Sequence, residues 1–147
     1  MLDQNTSAQL KTLLERLEGP IELVATLNGS EKSDKIKELV EEVAALSPLV
    51  TARFDGKNSR APSFGVAKAG EEPRVFFAGL PMGHEFTSLI LALLQTSGYA
   101  PKVSDEVLAS IKALGIQSDF DVFVSLSCHN CPDVVQALNL IAIYNPG

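Results

Sequence analysis

The chain has 147 residues, 46% of them apolar and 20% charged, with a formal net charge of −6. This is an ordinary globular composition, sized for one domain or two small ones. The acidic balance and the lack of a Lys/Arg cluster argue against nucleic acid as a partner, and no apolar stretch approaches the ~20 residues of a membrane-spanning helix.

The opening residues Met1-Leu2-Asp3-Gln4-Asn5 form neither a basic n-region nor an apolar h-region, so the expected compartment is the cytoplasm. Residues 3–18 predict a helix, because Leu10, Leu13, Leu14 and Leu17 share one face. Asp3 is its N-cap, and Gly19-Pro20 stops it. Residues 21–27 read as a strand and Asn28-Gly29-Ser30 as a turn. A second helix over about 33–46 turns Ile36, Leu39, Val40 and Val43 inward. Lys35, Lys37, Glu38, Glu41 and Glu42 form its solvated face. Ser47-Pro48 ends that helix, and three strands follow at 49–54, 62–66 and 74–77. The last two are expected to pair antiparallel across a connection containing Gly70. Leu80-Pro81-Met82-Gly83 leads into a third helix with an apolar face of Phe86, Leu89, Ile90, Leu93 and Leu94, closed by Ser97-Gly98. The order α-β-α-β-β-β-α predicts an α/β unit over residues 1–98, a mixed sheet with helices on both faces.

The pattern then restarts. Ser104 caps a short helix over 105–114, with Asp105 and Glu106 in its first turn and Val107, Leu108 and Ile111 turned inward. Gly115 stops it. A strand over 120–126 and a helix from Pro132 to about Tyr144 follow, the helix turning Val134, Val135, Leu138 and Ile141 inward. A shift of 99 residues lays Asp121–Leu126 on Glu22–Leu27, and Asp133, Val135 and Leu138 on Asp34, Ile36 and Leu39. Cys128 and Cys131 then fall where the first copy has Gly29 and Lys32. The second copy, residues 99–147, holds only its β-α start. It is expected to be a truncated fold that exposes apolar strand edges and one helix face, either partly disordered or completed by another chain.

Cys128 and Cys131 are the only cysteines, in Ser127-Cys128-His129-Asn130-Cys131-Pro132, between the apolar run and the last helix. A thiolate, not a thiol, attacks a disulfide. At a helix start, unpaired N–H groups and the positive end of the dipole favour that charge. Pro132 fits the first turn because it has no N–H to lose. Cys128 is positioned to attack a partner disulfide, and Cys131 to attack Cys128 and release the partner. Competing readings are a zinc site, for which only His129 and His84 could add soft ligands, a structural disulfide, and two unrelated buried cysteines. Glu85 borders the apolar face of the third helix. It reads either as a first-turn carboxylate complementing the dipole or as a carboxyl of raised pKa relaying protons to the thiols. His84 reads as a cap or surface residue, and Pro62 as a candidate cis proline.

Gly83-His84-Glu85-Phe86-Thr87-Ser88-Leu89 and the run from Ser125 to Leu140 around the cysteines resemble the N-terminal domain of the alkyl hydroperoxide reductase F subunit. The resemblance extends over essentially the whole chain. It implies tandem thioredoxin-like folds, 1–98 complete and without redox cysteines, 99–147 the first half of a second fold carrying the C-x-x-C. The implied function is a thiol–disulfide electron-transfer module in peroxide detoxification, a disulfide oxidoreductase that cannot oxidise NADH alone. It would take reducing equivalents from a flavoprotein part using FAD and NADH, expected beyond this chain, and pass them to the peroxiredoxin of the alkyl hydroperoxide reductase system, its C subunit. The implied partners are that peroxiredoxin and the parent flavoprotein domain, with no cofactor or metal, nucleic acid or membrane; a homodimer is a further arrangement. Cys128 matches the family's attacking cysteine, Cys131 its resolving one, Glu85 a glutamate that approaches the redox centre, and Pro62 the thioredoxin-type cis proline of the inactive copy. The alternative, from a different class, is a non-catalytic docking domain for a peroxiredoxin or the parent reductase.

Overall fold

A computed structural model of the chain describes residues 2–58, 60–101, 103–115, 120–125, 127–128 and 130–145, and at His84 the backbone alone. Helix α1 (Gln4–Leu14) starts where Asp3 Oδ1 accepts the Thr6 N–H at 2.7 Å. It stops short of residue 18 because Glu15, Arg16 and Leu17 donate three residues back, tightening the end into 3₁₀-like turns. Leu17 is still buried. Strand β1 (Ile21–Thr26), helix α2 (Glu31–Ala45, capped by Ser30) and strand β2 (Val50–Arg53) follow. Strands β3 (Ser63–Lys68) and β4 (Val75–Phe77) come next. A 3₁₀ turn over Gly83–Glu85 then opens helix α3 (Phe86–Thr96).

The sheet order is β2-β1-β3-β4. β2 runs parallel to β1 and β3 antiparallel to β1, and β4 pairs antiparallel to β3 as the sequence predicts. Five consecutive residues of β3, Ser63 to Ala67, are buried. Successive side chains point to opposite faces, so both faces of the sheet are covered. Helix α2 packs on β1, β2 and β3, while α3 packs on β3 and α1. The core is one cluster including Leu10, Leu14, Ile36, Val40, Phe64 and Leu93. Phe64 and Phe77 stack across β3–β4 with ring centroids 5.4 Å apart. The Ala61–Pro62 peptide bond is cis, as expected for Pro62.

Helices α4 (Asp105–Ala113, capped by Ser104) and α5 (Cys131–Tyr144) lie outside this sheet. α5 packs on α3, β4 and the Gly83–Glu85 turn, and α4 on α5. Ala142 and Ile143 of α5 lie against the core cluster. The expected strand over 120–126 is corrected by the structure. Residues 120–125 belong to no ladder, and Leu126 lies outside the described residues. Its counterpart β1 is held by β2 and β3, which follow it in the chain. Among the described residues no strand follows 120–125 to form a ladder with it, so this exposed segment leaves its peptide groups to solvent instead of to a sheet. Phe120, Val122, Phe123 and Val124 are exposed, Phe123 to 82%, matching the uncovered apolar surface expected of this half. The inward stripes are narrower than predicted. Val107 is 45% and Val134 52% exposed, because α4 and α5 each meet neighbours on one side only, which leaves Ile111 and the Val135-Leu138 side inward.

Candidate redox site

The site begins in a tight turn. The Cys128 N–H donates to Ser125 O at 3.0 Å, and the Ser125 and Ser127 hydroxyls lie 3.0 Å apart. Helix α5 starts at Cys131, with Asn130 at the N-cap position but making no side-chain cap bond. The acceptor is instead Cys128 Sγ, which takes the Cys131 N–H at 3.2 Å. A sulfur thus occupies the role usually filled by a capping oxygen, at the positive end of a 14-residue helix. Pro132, next in the first turn, has no N–H that would need a partner. Cys128 and Cys131 are joined as a disulfide with Cα atoms 5.5 Å apart. Both are half-buried, so the bond is accessible from one side. His129, between them, lies outside the described residues.

The junction between β1 and α2 is built from oxygen and nitrogen. Ser30 Oγ accepts the Ser33 N–H, Ser33 Oγ donates to Asn28 Oδ1 at 2.8 Å, and Asn28 Nδ2 donates to Ala61 O at 3.2 Å. With Gly29 and Lys32 in place of the cysteines, this turn has no redox group.

Glu85 lies at the 3₁₀–α3 junction with only 3% of its surface exposed. Its side chain makes no cap bond to α3, so hydrogen bonding to the helix start does not explain its burial. Oε1 accepts from Ser88 Oγ at 2.7 Å, and Ser88 Oγ in turn accepts from Gln136 Nε2 at 3.2 Å. Oε2 is buried with no hydrogen-bond partner among the described residues. The described link from Glu85 to α5 therefore runs through Ser88 to a residue five positions after Cys131, about 7.5 Å further along the helix axis. The structure brings the two cysteines together and ties Glu85 to their helix at its second turn. Sequence reasoning missed Ser88 and Gln136. The available signal was a serine three residues after Glu85 on the same helix, and a glutamine beside the apolar stripe of α5.

Between β4 and α5 runs an open cleft of about 1180 Å³, lined in part by Glu85, Val135, Leu138, Asn139 and the 120–124 segment. Asn139 Nδ2 is also buried without a partner among the described residues, so two residues of the cleft wall each carry a buried polar atom without a described partner. The outer wall is pinned by Arg60, which pairs with Asp121 (Nη2 to Oδ2 2.7 Å) and lies 5.5 Å from the Phe123 ring centroid. The Asp121 carboxyl is held below the ordinary carboxylate range by the hydrogen bond and charge of Arg60. Among the described residues no three His, Cys, Asp or Glu side chains converge as a metal-ligand group. No helix among them is long and apolar enough to cross a membrane.

No protein-family profile matches the chain. It is 52% identical over 146 residues to the alkyl hydroperoxide reductase F subunit of Pseudomonas putida, and 50% identical over 147 residues to that of Escherichia coli K12. Each match covers 99% of this chain and 28% of the relative, so the chain spans little over a quarter of those proteins. Among solved structures, a cysteine-to-alanine mutant of the Enterococcus faecalis alkylhydroperoxide reductase F subunit is similar with a TM-score of 0.84 and 28% identity. That match covers 99% of this chain and 76% of the other. A protein disulfide oxidoreductase from Aeropyrum pernix shares the fold, with a TM-score of 0.76 and 21% identity over 96% of this chain and 68% of the other.

Proposed function

From its similarity to alkyl hydroperoxide reductase F subunits we propose that the chain belongs to their family and is a thiol–disulfide electron-transfer module of peroxide detoxification. The observation that carries this reading is Cys128 Sγ at the start of α5, accepting the Cys131 N–H and bonded to Cys131. In the reduced protein the same N–H and helix dipole would stabilise a Cys128 thiolate. That thiolate attacks one sulfur of a partner disulfide, and the other sulfur leaves as a thiol. Cys131 then gives up its proton, attacks Cys128 Sγ, and the second partner thiol departs. Two electrons and two protons pass to the partner, and the Cys128–Cys131 disulfide forms. Residues 1–98 act as a redox-inert thioredoxin-like unit that carries Glu85, and 99–147 as the unit that carries the cysteines.

The natural electron acceptor on this reading is the disulfide of a peroxiredoxin, and the donor a flavoprotein part, working in the cytoplasm. No two of the ten glycines are separated by a single residue, so the chain lacks the G-x-G-x-x-G turn of a dinucleotide site. The exposed Phe120–Val124 face favours a second reading, a docking module without redox chemistry. The two part in one assay: the reduced protein is offered insulin or a peroxiredoxin disulfide, and thiol loss is followed. Cys128→Ser is expected to abolish turnover; unchanged turnover would overturn the exchange mechanism in favour of docking.

A further inference from the structure

Glu85 reaches α5 through a directed chain of hydrogen bonds. Gln136 Nε2 donates to Ser88 Oγ, and Ser88 Oγ donates to Glu85 Oε1. A serine hydroxyl has one proton and can accept as well as donate. The Gln136 amide occupies the oxygen of Ser88, so its single proton is directed to Glu85. Oε1 is thereby committed, and Oε2 is the carboxyl oxygen left open, buried and without a partner among the described residues. Ser88 is fully buried, so water does not compete for its hydroxyl, and linked bonds in such surroundings reinforce one another. Gln136 belongs to the helix that begins at Cys131, so the arm that fixes the carboxyl moves with the redox helix.

We propose that Ser88 and Gln136 are positioning residues, which hold the Glu85 carboxyl in one orientation relative to the helix of Cys128 and Cys131. The proposal rests on the reading of Glu85 as a group that acts on the thiols. It goes beyond that reading by naming the two side chains through which the first unit sets the carboxyl against the second.

The test is the rate of Cys128 alkylation by iodoacetamide in the reduced protein as a function of pH, read at that residue by mass spectrometry. It is run on wild type, Glu85→Gln, Gln136→Leu, Ser88→Ala, Ser88→Thr and the Glu85→Gln/Gln136→Leu pair. Gln136→Leu and Ser88→Ala are expected to move the midpoint in the direction of Glu85→Gln, by about half a pH unit. Ser88→Thr, which keeps the hydroxyl, is expected to restore the wild-type profile. The double variant is expected to match Glu85→Gln alone, since an arm without its carboxyl has nothing to position. If Glu85→Gln shifts the profile while Gln136→Leu and Ser88→Ala do not, the carboxyl acts without these arms and the proposal fails alone. Additive shifts in the double variant also overturn it. If Glu85→Gln superimposes on wild type, the reading of Glu85 falls and this inference with it.

Discussion

Replacing Asn145 by alanine is expected to release α4 from α5 without unfolding the sheet. Asn145 follows the last turn of α5 and is buried. Its Nδ2 donates to the Ile111 and Leu114 carbonyls, at 2.6 and 3.0 Å, at the end of α4. Ile111 O also accepts the Leu114 N–H at 3.2 Å, so it keeps one partner. Leu114 O has Asn145 as its partner among the described residues. The loss is one net hydrogen bond, about 1 kcal/mol, and one acceptor left wanting, about 1–3 kcal/mol. A figure of about 2 kcal/mol corresponds to about 30-fold faster local opening. Among the described residues α4 is otherwise tied to α5 by Lys112 Nζ, 5.9 Å from the Tyr144 ring centroid. It has nine residues, too few to be stable alone, and its Val107 is exposed while Ile111 is its one buried residue. The assay is native-state hydrogen exchange of the α4 amides in wild type and Asn145→Ala, with β1 and β3 as internal reference. Exchange from α4 within about twofold of wild type would refute the reasoning. So would an equal acceleration in β3, because Asn145 would then support the whole fold.

Two further outcomes follow from the packing and the charges. Leu93 is fully buried in the core cluster, so Leu93→Ala should cost about 2–5 kcal/mol, read as a lower denaturant midpoint with unchanged slope; an unchanged midpoint would place Leu93 outside the cooperative core. Asp121 should titrate below the ordinary carboxylate range in wild type and return to it in Arg60→Ala, followed by its side-chain carboxyl NMR signal. Because the folded value is the lowered one, the stabilisation is present above the ordinary range and lost as pH falls through the lowered value. Identical titrations in the two proteins would show that the Arg60 contact does not persist in solution.

Most of the first unit was readable in one dimension. Leu10, Leu13 and Leu14 announce α1, and Ile36, Leu39, Val40 and Val43 announce α2, because a helix repeats its buried face every three or four residues. The β3–β4 pair followed from its short connection, whereas the pairing of β1 with β3 across α2 and β2 did not. The cysteine pair was equally plain, since Cys128 and Cys131 lie within one turn and Pro132 marks the helix start. Interactions between distant positions were not readable. The expected strand at 120–126 had the right composition, but a strand exists only when neighbours satisfy its peptide groups. Val134 and Val107 had the right spacing, yet lie on sides of α5 and α4 that no element covers.

What the sequence by itself determined is therefore local: which segments coil, where they stop, and that two thiols sit at a helix start. Tertiary structure decided everything that depends on a partner far along the chain. Gln136 meets Ser88 across 48 positions and Asn145 meets Ile111 across 34, and no periodicity encodes either contact. The physical reason is that hydrophobic pattern directs burial without direction or identity, whereas a hydrogen bond needs one donor and one acceptor at a set distance and angle. Only the packed arrangement of α3 on α5, and α4 on α5, supplies that geometry.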